Sequence, residues 1–219
     1  MIEPRVLQRY LLVTTAVVAA VGGAVELAHH AVPDAVVAAL SLSYEANVPT
    51  WLSSALLLGS GLAACSIAGA LDRGTRWRGH WWGIAIAMFY ASLDEAAELH
   101  EHLGGWLELG GALYFDWVVP ATLIVIALTA LYWPFARALP APVRRKLILA
   151  VAIYLAGALV MELPLGWWTD RAGSDNLGYA LIDWCEETLE MIGASLAVVA
   201  LVGYRRELAR GDGARQDGR

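Results

Sequence analysis

Trp81-Trp82-Gly83-Ile84-Ala85-Ile86-Ala87-Met88-Phe89-Tyr90-Ala91-Ser92-Leu93-Asp94-Glu95-Ala96-Ala97-Glu98-Leu99-His100-Glu101-His102 joins an apolar run to a charged one. Up to Leu93 it reads as the first part of a membrane span. From Asp94 onward, nine residues hold four carboxylates and two imidazoles. Charged groups at membrane depth are costly and rare, and where they occur they mark function. The fold question therefore reduces to whether the rest of the chain builds a membrane bundle around this stretch.

Composition says that it does. The chain has 219 residues, 58% hydrophobic and only 16% charged, with a mean hydropathy of +0.55. Soluble domains average ~45–50% apolar and ~25% charged residues. No basic patch with interleaved aromatics is present, which argues against nucleic acid as a partner. Cys65 lies deep in one apolar run and Cys185 near the outer end of another, so they form no disulfide framework.

Six spans can be placed, giving an all-α polytopic bundle: Tyr10–His30, Trp51–Leu71, Trp81–His102, Leu113–Pro134, Lys146–Trp167 and Ala180–Tyr204. Each is long enough for a hydrocarbon core of ~30 Å at ~1.5 Å per residue. The first span is expected to be an uncleaved helix rather than a signal peptide, because its apolar run extends past Ala20 to Glu26, His29 and His30. Fourteen of the 15 Lys and Arg fall on one side of this arrangement, and only Arg171 falls on the other. Basic residues concentrate on the cytoplasmic side, so both termini are predicted to be cytoplasmic. The expected organisation is one transmembrane domain over residues 1–210 and a disordered cytoplasmic tail over residues 211–219. Ala31–Thr50 has room for a short interfacial helix. Trp81, Trp82 and Trp133 are expected at the inner interface, with Trp51, Trp106, Trp117, Trp167, Trp168 and Trp184 at the outer one.

The acids then fall into a layer. On this topology Glu26, His29 and His30, the stretch Asp94–His102, Asp116, Glu162, and Asp183, Glu186, Glu187 and Glu190 all lie in the outer half. At ~100° per residue, Asp94, Glu95, Glu98, Glu101 and His102 share an arc of about 120°, with Ser92 and His100 pointing away from it. His100 could join them only if the helix end unwinds. Asp183, Glu186, Glu187 and Glu190 share about 100°. Single polar stripes of this kind suit a bundle interior.

Acids without basic partners cannot all remain ionised in a low-dielectric site, so either several hold protons or cations neutralise them. Carboxylates mixed with imidazole suit iron, manganese or zinc. Glu26 and His29 form a Glu-x-x-His pair of the kind used by carboxylate-bridged di-metal helical bundles. The span-three stretch supplies no second pair. The expected metal ligands or nearby acids are Asp94, Glu95, Glu98, Glu101, Glu162, Glu187 and Glu190, with His100 or His29 as nitrogen donors. Nucleophile and phosphate-loop motifs are absent. Lys146, the single lysine, sits at a span's inner end, which excludes a mid-span retinal Schiff base.

Four short motifs resemble an uncharacterised group of bacterial multi-pass membrane proteins. They are Ser92-Leu93-Asp94-Glu95 with Leu99-His100-Glu101, Trp117-Val118-Val119-Pro120, Met161-Glu162, and Glu186-Glu187-Thr188-Leu189-Glu190-Met191. The resemblance covers spans three to six. It implies a bacterial inner-membrane location and no particular activity. It adds His100 to the acids picked out by topology, and it omits Glu26, His29 and Glu98.

The leading expectation is a metal-binding membrane protein, with an oxidoreductase acting on a lipid-soluble small molecule as its enzymatic form. A proton- or cation-coupled transporter or channel is the alternative from a second class. A structural or assembly subunit, with the acids facing a protein partner's basic surface, is the third.

Overall fold

The structure, a computed structural model, describes residues 3–32, 37–100, 102, 105 and 107–216. These residues form α1 (Pro4–Ala31), α2 (Val48–Ala70), α3 (Arg78–Ala97), α4 (Val118–Ala138), α5 (Ala141–Leu155), α6 (Glu162–Ala172) and α7 (Leu177–Gln216). A π-helical turn, Ala156–Met161, joins α5 to α6, so the seven helices make six rods. The fold is all-helical among the described residues. The Pro4–Ala31, Val48–Ala70, Val118–Ala138 and Ala141–Ala172 helices are long and apolar enough to cross a membrane. The acid-bearing α3 and α7 are the two rods outside that group.

Local signals explain most boundaries. Prolines near the starts of α1, α2 and α5 fit the first turn, where a backbone N–H has no helical partner. Asn47 caps α2 by accepting the Thr50 N–H at 3.2 Å. Gly173, at φ 73°, ends α6 and donates its N–H to Thr169 O at 2.9 Å. Asn176 starts α7, its side-chain oxygen accepting the Tyr179 N–H at 3.1 Å and the Trp168 indole N–H at 2.7 Å.

Several expected boundaries move, and two of them bear on the acids. The third helix stops at Ala97 rather than His102, because Glu98 adopts a left-handed conformation at φ 53°. The fourth begins at Val118 rather than Leu113, after a short 3-10 turn at Gly111–Leu113. Asp116 therefore precedes its helix. At the C-terminus, α7 continues past Gly211 to Gln216, into the segment read from sequence as a tail. Within Ala31–Thr50 a 3-10 turn forms at Ala38–Leu40.

α7 is the central rod, packed against α1, α2 and α5, while α2 lies along α3. Small residues allow the close approach that membrane helices need in the absence of a strong hydrophobic drive. A Cβ on Gly157 would come 2.7 Å from Glu186 O, and one on Gly193 would come 2.5 Å from Tyr154 N. The α5–α6 rod and α7 thus touch backbone to backbone at two levels, one at the end of α5 and one in the π turn. Interhelical hydroxyl pairs add polar ties. Thr15 and Ser195 oxygens lie 3.1 Å apart between α1 and α7. Ser54 and Ser92 exchange bonds between α2 and α3, each hydroxyl donating to the other's carbonyl at 2.8 and 2.9 Å.

Trp81 is 1% exposed, packed with Ile67, Phe135 and Leu201. Trp184 also turns inward and donates its indole N–H to Ala19 O at 2.7 Å. Outward-facing apolar side chains such as Val13, Val17, Leu123, Ile126 and Leu131 surround the rods, as expected for a lipid-facing surface.

Candidate functional site

The left-handed turn at Glu98 builds the mouth of the site. It reverses the chain, so His100 folds back over the last turn of α3 rather than pointing away from it. Asp94 Oδ1 accepts the His100 backbone N–H at 2.9 Å, and Asp94 Oδ2 lies 3.0 Å from His100 Nδ1. The imidazole also rests on Trp117, with ring centroids 4.7 Å apart. His102 points elsewhere, its Nδ1–H donating to Glu98 O at 2.8 Å.

Behind this mouth lies a cavity of about 550 Å³ between α3, the α5–α6 rod and α7, within the ~300–1,000 Å³ range of small-molecule sites. α3 contributes Asp94 and Glu95, followed by Glu98 and His100. Glu162 enters from the start of α6, directly after the π turn. α7 contributes Asp183, Glu186, Glu187 and Glu190, and the loop before α2 contributes Glu45. Nine carboxylates therefore face one space, and no Lys or Arg is among its described lining residues. Arg171, the one basic residue expected on this side, is occupied at the surface. Its guanidinium stacks 4.1 Å above the Trp167 ring and donates to Trp167 O at 3.2 Å.

The acids divide into two neighbourhoods that meet at Glu190. Glu95 is a charged neighbour of both Glu187 and Glu190. Glu162 is a charged neighbour of Glu186 and of Glu190. Glu162, Glu186 and Glu190 are each 7% exposed. Among the described residues, Glu186 Oε2 is buried with no hydrogen-bond partner, an arrangement that costs free energy unless a ligand or water satisfies it. Tyr154 forms part of the same lining near Glu190.

Of the expected ligands, Asp94, Glu95, Glu98, His100, Glu162, Glu187 and Glu190 line this one cavity. Glu101 lies outside the described residues. His29 is on α1, outside the cavity lining, with its ring 5.0 Å from that of His30. Its sequence partner Glu26 is used structurally: it accepts the Ser41 hydroxyl, and the Ser43 N–H at 3.4 Å. Asp116 is likewise an anchor, accepting the Gly105 and Leu107 N–H groups at 2.7 Å each. Glu45 was not legible as a site residue, because nothing local distinguishes a lone acid in a long loop. It also accepts the Thr50 hydroxyl at 3.0 Å. Among the described residues, no three His, Cys, Asp or Glu side chains are close enough together to hold one metal ion. The donor set has the chemistry of a hard-cation site, without a preassembled coordination shell.

Neither the curated proteins nor the solved structures contain a match to this chain. A family signature matches residues 10–204, most of the chain. The protein belongs to the family described as Domain of unknown function (DUF8692).

Proposed function

We propose that this is a six-span protein of the bacterial plasma membrane, with both termini cytoplasmic, that binds a divalent cation in its acid-lined cavity. Iron, manganese and zinc are the first candidates, and the enzymatic form of the reading is oxidation or reduction of a lipid-soluble substrate. One observation carries it: nine carboxylates from four parts of the chain face a single cavity whose described lining has no Lys or Arg. Desolvated like charges need a counter-charge or protons, and a cation supplies the counter-charge. Carboxyls on α3, α6 and α7 would have to close on the ion when it binds. Asp94 would fix the orientation of the His100 ring, as carboxylates do beside metal-ligating histidines.

The six-span topology rests on two facts. α3 has 20 residues and α7 has 40, enough for ~30 Å each at ~1.5 Å per residue. With six spans, 14 of the 15 Lys and Arg would fall on one side, the distribution expected of cytoplasmic connections. Conduction through the protein is the weaker reading. Among the described residues, the space inward of Tyr154 is lined mainly by apolar side chains, including Leu57, Ile84, Met88, Leu155 and Ala194, with few polar groups to carry an ion.

Elemental analysis tests the proposal. Protein from metal-supplemented cells, purified in mild detergent, should carry a near-stoichiometric transition metal that is lost in Glu187→Gln and Glu190→Gln. Only traces of metal in folded protein, together with no uptake of added manganese, iron or zinc, would overturn it.

A further inference from the structure

The floor of the acidic cavity adjoins a second space of different chemistry. A groove of about 330 Å³ runs inward from Tyr154, between α3 on one side and α4 on the other, with α2, α5 and α7 beneath. Gly83, Ile84 and Ala87 form one wall, and Val125 and Leu128 the other. Leu128 and Val151 are 43% and 51% exposed, so the groove opens toward the surrounding lipid. At its inner end the Tyr132 hydroxyl sits against Gly83. Tyr154 lines both spaces. A ligand reaching past Tyr154 from the groove would meet hydrocarbon first and carboxylates last.

We propose that the paired spaces bind a single-chain amphiphile with a cationic amine head, its hydrocarbon tail in the α3–α4 groove and its ammonium group past Tyr154 among Glu190, Glu186 and Glu95. This deepens the cation-binding reading and rests on it for the chemistry of the cavity. Charge complementarity selects the head: a space lined by nine carboxyl groups, with no Lys or Arg among its described lining residues, favours a cationic group over a neutral or anionic one. The buried Glu186 Oε2, without a partner among the described residues, is an acceptor of the kind an ammonium N–H would satisfy. The tail contributes little affinity, because membrane hydrocarbon is as apolar as the groove. It sets depth and orientation, while the head supplies the discrimination.

The test uses the full chain in phosphatidylcholine nanodiscs. The probe is a hexadecylamine analogue carrying a diazirine in mid-chain, and labelled peptides are mapped by mass spectrometry. Labelling should concentrate on the Gly83–Met88 and Val125–Tyr132 segments. Unlabelled hexadecylamine should compete about tenfold or more better than hexadecanol, in line with charge-assisted hydrogen bonds. Ala87→Phe, which fills the groove, should abolish the competed labelling while leaving metal content unchanged. Equal competition by the alcohol, or labelling spread evenly over the outward faces of α1 and α4, would overturn the proposal. Selective amine labelling in protein that takes up no metal would sustain this inference and refute the metal reading alone. Metal uptake without selective labelling would do the reverse.

Discussion

Asp94 holds His100 at both ends, taking the backbone N–H on one carboxylate oxygen at 2.9 Å and facing the ring Nδ1 with the other at 3.0 Å. The six-residue return is possible because Glu98 accepts a left-handed conformation. That conformation costs a non-glycine residue roughly 1–2 kcal/mol, and two charge-assisted hydrogen bonds at about 1.5–3 kcal/mol each are enough to offset it.

Removing the clasp should release the turn. Asp94→Ala is expected to lower stability by about 2–3 kcal/mol and to weaken any bound metal about 10–100-fold. Adding Glu98→Gly to that variant should recover part of the stability, because glycine adopts the turn without strain. Thermal unfolding in detergent of the single and double variants checks this. No recovery in the double variant would show that the turn is held by something else.

The backbone contact between the α5–α6 rod and α7 makes a sharper contrast. Gly193→Ala should destabilise by about 1–3 kcal/mol through overpacking against Tyr154. At Gly203, in the same helix, an added Cβ would meet nothing within 4 Å, so Gly203→Ala should be neutral or stabilising by up to about 1 kcal/mol. Equal effects at the two positions would contradict the close approach.

Neutralising one acid should act in opposite directions on the free and the bound protein. In chelator-treated protein, Glu187→Gln removes a desolvated charge from a cavity crowded with like charges, and the thermal midpoint should rise. On titration with manganese or zinc, the stabilisation seen in the parent protein should shrink, because ligand-linked stability follows affinity. Paired melting curves with and without metal read both effects.

Topology can be checked at the loops. Thr75→Cys, between α2 and α3, should react with a membrane-impermeant maleimide only when the cytoplasmic side is open. Ser174→Cys, between α6 and α7, should react from outside intact cells. Both positions lie in short exposed connections. Labelling of both from one side would break the six-span arrangement.

How far the site could be read in advance depended on the range of the interactions involved. Apolar runs report which helices are long and apolar enough to cross a membrane, since hydropathy is a one-dimensional property of the chain. The same holds for the acid-bearing faces of α3 and α7, which follow from helical periodicity. The end of α3 is hidden from the helical period because no glycine marks the left-handed residue. The signal is a side chain four positions earlier, and it operates only after the chain has turned.

The sequence by itself determined an all-helical chain with helices apolar enough to cross a membrane and acids on single faces of two of them, because hydropathy and helical period are written residue by residue. Only the tertiary structure decided which acids share a space. Glu26 and Asp116 turn to loop N–H and hydroxyl groups, Glu45 arrives from a loop, and His100 is returned to Asp94. Those outcomes depend on contacts between segments far apart in the chain or across a turn, where the nearest available donor, rather than the local pattern, sets the partner of each carboxylate.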